Sequence, residues 1–158
     1  LLASSAASDV YKRQCKYYQG NMSPNNAERE EKGYSSAWLH HKGRNKHHYE
    51  YWIDYSMQAL PGGMAPVPMP DKYIAEMIMD RIAASKVYMG GEYTDRSPLD
   101  YYYQGTDRAP IHPETKAKLL YVLEMLAEEG EEKTFRFIKE ELVQHKRCMD
   151  WHQLEKAE

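Results

Sequence analysis

In the stretch PDKYIAEMIMDRIAASKVYM, residues 70–89, apolar side chains recur at Ile74, Met77, Ile78 and Ile82. That three-and-four spacing predicts one buried helical face, opened by Pro70 and ended by Gly90-Gly91. The same period returns after His112-Pro113, at Leu119, Leu120, Leu123 and Leu126 up to Gly130, and again from about Glu131, at Phe135, Ile138, Leu142 and Met149. These two stripes predict an antiparallel helical hairpin joined by a tight glycine turn. Shorter helices are expected over 23–33, with Ser23 as cap, Pro24 at the first position and Gly33 at the end, and from Ser35 or Ser36 to His41, with Gly43 stopping it. Another starts at Ser97-Pro98 and carries Tyr101, Tyr102 and Tyr103. Residues 44–56 contain HHYEYWIDY, aromatic at every second or third position, and a helix is favoured there over a strand. Residues 60–70, LPGGMAPVPMP, read as an ordered surface loop. No run of β-branched residues alternates with polar ones, so no sheet is expected. The fold class predicted is all-α, a single-domain helical bundle.

Residues 1–14, LLASSAASDVYKRQ, differ in composition from all that follows. DVYKRQ is encoded by GAT GTG TAT AAG AGA CAG, which resembles a transposase sequencing adapter read through as gene. A secretory signal would place its positive charges before an apolar stretch, whereas Lys12 and Arg13 come last. Residues 1–14 are therefore expected to be an artefactual leader, residues 15–158 the single domain, and the true N-terminus missing.

Composition narrows the class. With 158 residues, 42% apolar and 28% charged, the chain suits one globular domain. The longest hydrophobic blocks are cut by Asp80, Glu124 and Glu140, so no bilayer span is predicted. The formal charge of -3, or -4 without Asp9, Lys12 and Arg13, leaves no basic footprint for nucleic acid or an anionic membrane. Two cysteines, Cys15 and Cys148, are too few for a disulfide framework or a thiolate zinc site and suit a reducing cytoplasm.

The seven histidines carry the chemical signal. HHKGRNKHH brings His40, His41, His47 and His48 within nine residues. Neutral imidazole ligates divalent ions, and a ligand histidine gives its other nitrogen to a carboxylate or carbonyl, for which Glu50 and Asp54 are candidates. The bland alternative is that one histidine of each pair packs on Trp38 or Trp52 while the other is solvated at a helix C-terminus. Asp80 sits on the 70–89 helix among mostly apolar same-face neighbours, where a carboxylate needs a cation. Either it pairs with Arg81, or it joins His40, His41, His47 and His48 as a metal ligand while Arg81, Lys86 or Arg44 grasps an anionic substrate such as phosphate. Asp95 to Pro98 reads as a capping motif. The Tyr101–Tyr103 triplet reads as helix packing rather than a base-stacking platform. The histidine spacing is too short for the two strands and helix of an HNH nuclease.

YYQGNMSPNNAEREEKGYSSAWLHHKGRNKHHYEYW, MPDKYIAEMIMDRIAASKVY, YTDRSPLDYY and HPETK closely resemble a bacterial family, domain of unknown function 5662, from residue 16 to about 143. In that family's pattern a lone His and a His-Asp-Leu-Ser-Lys motif precede the position of Cys15, and both are absent here. That order of His, His-Asp, histidine cluster and late helical Asp is similar to the HD superfamily of metal-dependent phosphohydrolases. The resemblance implies an HD-like helical bundle holding one or two divalent ions, Mn, Fe, Zn, Ni or Mg. His41 and His48, or His40 and His47, together with Asp80 would be ligands, and ion-activated water would attack a phosphate ester or nucleotide beside a cationic side chain. As a metagenomic fragment lacking the upstream ligands, the chain is expected to bind metal poorly, to be inactive, and to expose Trp38, Trp52 and Met77. Two alternatives remain: a helical metal-binding or protein-interaction module without turnover, and a di-iron oxygenase.

Overall fold

The computed structural model describes residues 24–57, 63–105, 108–145 and 151. The leader 1–14, Cys15, Ser23, Cys148 and Met149 lie outside them. The chain divides after Lys46 into two compact units.

Among the described residues, the first unit holds helices α1 (Pro24–Lys32) and α2 (Ser36–Arg44). Gly33 turns between them at φ +79, a left-handed conformation that favours glycine, and its N–H donates to the Arg29 carbonyl at 2.7 Å. Ser35 caps α2 by accepting from the Trp38 N–H at 3.1 Å, while its own hydroxyl donates to Glu28 at 2.8 Å. Glu28 is 2% exposed, and it also accepts from Ser36 Oγ at 2.9 Å and Lys32 Nζ at 3.2 Å. Three donors satisfy a carboxylate that would otherwise be costly to bury. Gly43 does not stop α2 as the sequence suggested. The helix runs to Arg44, where the Asn45 backbone N–H closes it on the His41 carbonyl.

The second unit starts with a 3₁₀ turn, Tyr49–Trp52, followed by strand β1 (Ile53–Tyr55), which pairs antiparallel with β2 (Met64–Pro66). Ile53 faces Pro66 and Tyr55 faces Met64. The helix expected over 44–56 and the absence of any sheet are both corrected here. The aromatic spacing of YEYWIDY fits a turn and an extended strand, and the ribbon is held from outside: Val67 N–H donates to the Trp52 carbonyl at 2.8 Å, and the Trp52 ring lies 5.6 Å from that of Tyr73. Such tertiary anchoring decides strand formation more than intrinsic propensity does. Pro66 terminates a strand whose outer edge needs no N–H donor.

Helix α3 (Asp71–Met89) is the axis of this unit, packed against α4 (Ser97–Tyr103), α5 (Pro113–Glu129) and the C-terminal segment. Ile74, Met77, Ile78 and Ile82 are buried as their spacing predicts, and Gly90 ends the helix at φ +52. Met77 is thus covered, and Trp38 and Trp52 are half-buried, so none of the three is left bare. Ser97 opens α4 with its hydroxyl accepting from the Thr94 N–H at 2.9 Å, a local cap rather than a site. His112 caps α5 through Nδ1, which accepts from the Glu114 N–H. Gly130 turns the chain at φ +81 into α6 (Glu131–Phe137), which continues as one wide turn, Ile138–Val143. The expected hairpin is present: Leu119, Leu123, Leu126, Ile138 and Leu142 are buried and Phe135 packs at its margin. At the far end Lys118 is buried between Asp71 and Glu114, each at 2.7 Å. The chain is mostly α-helical, and no described helix is long and apolar enough to cross a membrane.

Candidate metal centre

In the first unit the first histidine pair rides on the last turns of α2. His40 is half-buried and Arg44 is exposed at the helix end, with His41, Lys42 and Arg44 all where the helix dipole favours cations. His41 is buried and its ring centroid lies 5.5 Å from that of Trp38, as the packing alternative foresaw for one histidine of a pair. Asn45 fixes its tautomer. The Asn45 side-chain amide donates to the His41 carbonyl at 2.7 Å, so the same nitrogen, 3.1 Å from His41 Nδ1, is a donor there too. Nδ1 then accepts, and the neutral ring carries its proton on Nε2. For His41 to ligate through Nδ1, Asn45 must move aside. To ligate through Nε2, the ring must change tautomer.

In the second unit the other pair has different surroundings. The rings of His47 and His48 touch, with centroids 4.4 Å apart, just before the 3₁₀ turn. His47 Nδ1 lies 3.9 Å from Glu76 Oε2 on α3, too long for a hydrogen bond but close for charge. A carboxylate at that distance favours the proton on Nδ1 and leaves the Nε2 lone pair as the ligating one, the arrangement found behind metal-bound histidines. Glu76 was not foreseen in this role. Of the two carboxylates named from sequence, Asp54 is exposed and accepts from the Tyr55 N–H at 2.8 Å, and Glu50 lies beside Tyr49.

Asp80 stands one helical turn beyond Glu76, on the same face of α3, and is half-buried. Its neighbour Arg81 has a buried Nε. Burial pulls the guanidinium below its ordinary pKa, while Tyr101, Tyr49, Asp80 and Tyr102 act in the opposite sense. Arg81 lies within charge range of Asp80 and of three phenols. Tyr49 is held above its ordinary pKa by burial and then by Glu50, against the opposing pull of Arg81, so it remains a neutral phenol. Lys86 is engaged elsewhere: it pairs with Glu131 at 2.5 Å and lies over the Tyr93 ring.

Imidazole nitrogen with carboxylate oxygen is a donor set that fits Mn, Fe, Ni or Zn, and no thiolate is among the described candidates. A family described as a family of unknown function (DUF5662) matches residues 5–125. No curated protein and no solved structure matches the chain.

Proposed function

Since the chain belongs to DUF5662, a family of unknown function, we propose a function from its own residues: a metal-dependent phosphohydrolase of the HD type, acting on a small phosphate ester. His47 and His48 hold the divalent ion, with Asp80 as a further ligand. The observation that carries the reading is the contacting His47–His48 ring pair with the Glu76 carboxylate 3.9 Å behind Nδ1 of His47. When bound, the ion supplies Lewis acidity toward water and a phosphoryl oxygen. The rest is the work of this chain's side chains. Glu76 orients His47, and Arg81, a partly desolvated cation with a planar fork of donors, binds phosphoryl oxygens and stabilises charge developing on them. Arg44 and Lys86 are the weaker candidates for that role, Arg44 because it is exposed and Lys86 because Glu131 already engages it.

The test is manganese-dependent hydrolysis of p-nitrophenyl phosphate. It compares the chain with a version in which the His-Asp-bearing segment of another family member precedes it. Turnover by the extended form that is lost with His48→Ala supports the reading. An extended form that binds manganese and turns nothing over would contradict it and leave a non-catalytic metal-binding module.

A further inference from the structure

From Tyr55 to Pro70 the chain carries no charged residue. The β ribbon at the start of that run turns an apolar face outward. Side chains alternate along a strand, and Ile53 opposite Pro66 and Tyr55 opposite Met64 therefore share one face, with Asp54 and Ala65 on the other. A face of that kind ordinarily lies on the core. Here Tyr55 is 77% exposed, Met64 is 57% exposed, and Met57, just past the strand, is fully exposed. The edges of the ribbon are closed. Val67 N–H on the Trp52 carbonyl and Ser56 N–H on the Gly63 carbonyl leave the backbone of Tyr55 and Pro66 pointing outward. The Tyr55 N–H donates to the Asp54 carboxylate at 2.8 Å, and Pro66 has no N–H. A strand adding to either edge would find neither donor available.

We propose that this face is a docking surface for neutral lipid, seated in the headgroup layer of a bilayer that it touches and does not cross. Interfacial tyrosine, an uncharged ribbon tip and backbone donors already engaged are what a medium poor in acceptors demands. A second copy of the chain is the weaker fit. Tyr55, Met57 and Met64 expose on the order of 500 Å², against about 800 Å² per partner for a stable interface. A bilayer sets no such threshold, because affinity rises with whatever apolar area enters it. The contact is with uncharged headgroups, since the run offers no cation to an anionic lipid. None of the three side chains is a proposed metal ligand, and the contact does not depend on an ion.

Co-sedimentation of the full chain with phosphatidylcholine vesicles, with lipid up to about 5 mM and at low and high salt, tests this. The chain is expected to sediment with the vesicles equally at both salt concentrations. Met64→Glu, at an exposed position, should weaken partitioning about tenfold with helical content unchanged. No sedimentation of the parent chain, or undiminished sedimentation of a folded Met64→Glu variant, overturns the proposal. Should that variant fail to fold, Met57→Glu gives the same readout. Binding only to vesicles that contain phosphatidylserine, falling with salt, would place the contact on cationic side chains elsewhere and overturns it too. Sedimentation velocity without lipid covers the other occupant. A dimer that Met64→Glu dissociates, with no vesicle binding, assigns the face to a second copy and overturns the lipid surface.

Discussion

Nδ1 of His47 stands 3.9 Å from Oε2 of Glu76, which ties the segment entering the 3₁₀ turn to the middle of α3. The contact is electrostatic and half open to solvent, so it contributes little to stability. Its effect is on the ring, whose orientation and tautomer it favours.

Glu76→Gln keeps the size of the side chain and removes that effect. The variant is expected to fold as the parent does and to lose about 10–100-fold in affinity for manganese or zinc, the range for a carboxylate supporting a ligand histidine. Isothermal titration with each ion measures this, and parental affinity would mean that Glu76 does not support a ligand.

Lys118 gives a pH dependence of known sign. Burial alone would lower its pKa, but the hydrogen bonds to Asp71 and Glu114 outweigh burial and hold it above 10.5. Folding is therefore favoured fully below the unfolded value near 10.5, and that contribution is lost as pH rises through the higher folded value. Urea unfolding between pH 8 and 12 should show the loss only at the alkaline end. Asp71→Asn removes one partner of a buried cation and should cost about 3 kcal/mol or more at pH 8, with the alkaline dependence weakened.

Leu123 is fully buried on α5, which packs against α6. Leu123→Ala should cost about 2–5 kcal/mol in chemical denaturation, the range for a core leucine truncation. A loss well under 1 kcal/mol would place the hairpin outside the cooperative core.

Ser35 both caps α2 and donates to the buried Glu28. Ser35→Ala should destabilise by about 1 kcal/mol for the cap. It should cost more in total, because the buried Glu28 carboxylate also loses the Ser35 hydroxyl as a donor. Hydrogen exchange of the Trp38 amide reads the cap directly, and unchanged protection would show that Ser35 is not what holds it.

The long helices were legible because burial imposes the helical period on them: Ile74, Ile78 and Ile82 on α3, and Leu119, Leu123 and Leu126 on α5, are all buried as spaced. The β ribbon was not, because Met64-Ala65-Pro66 has no β-branched residue and its pairing with Ile53–Tyr55 depends on contacts such as Trp52 against Tyr73, which spacing does not encode. At the site, the histidine pairs were visible as a cluster. Which carboxylate serves them was not, since proximity in sequence favoured Glu50 and Asp54, whereas folding brings α3 and its Glu76 to His47. The only available signal for Glu76 was its place one turn before Asp80 on the same helix face.

The claim that the second histidine pair holds a divalent ion is tested most directly by metal stoichiometry. The full chain and its His47→Ala/His48→Ala variant are stripped with chelator, titrated with manganese and with zinc, and assayed for bound ion by elemental analysis. The account predicts one weakly held ion per chain, its affinity at least about tenfold lower in the variant while the helical content is unchanged. Equal affinity in the two proteins, or no ion bound by the parent chain at millimolar metal, would contradict it.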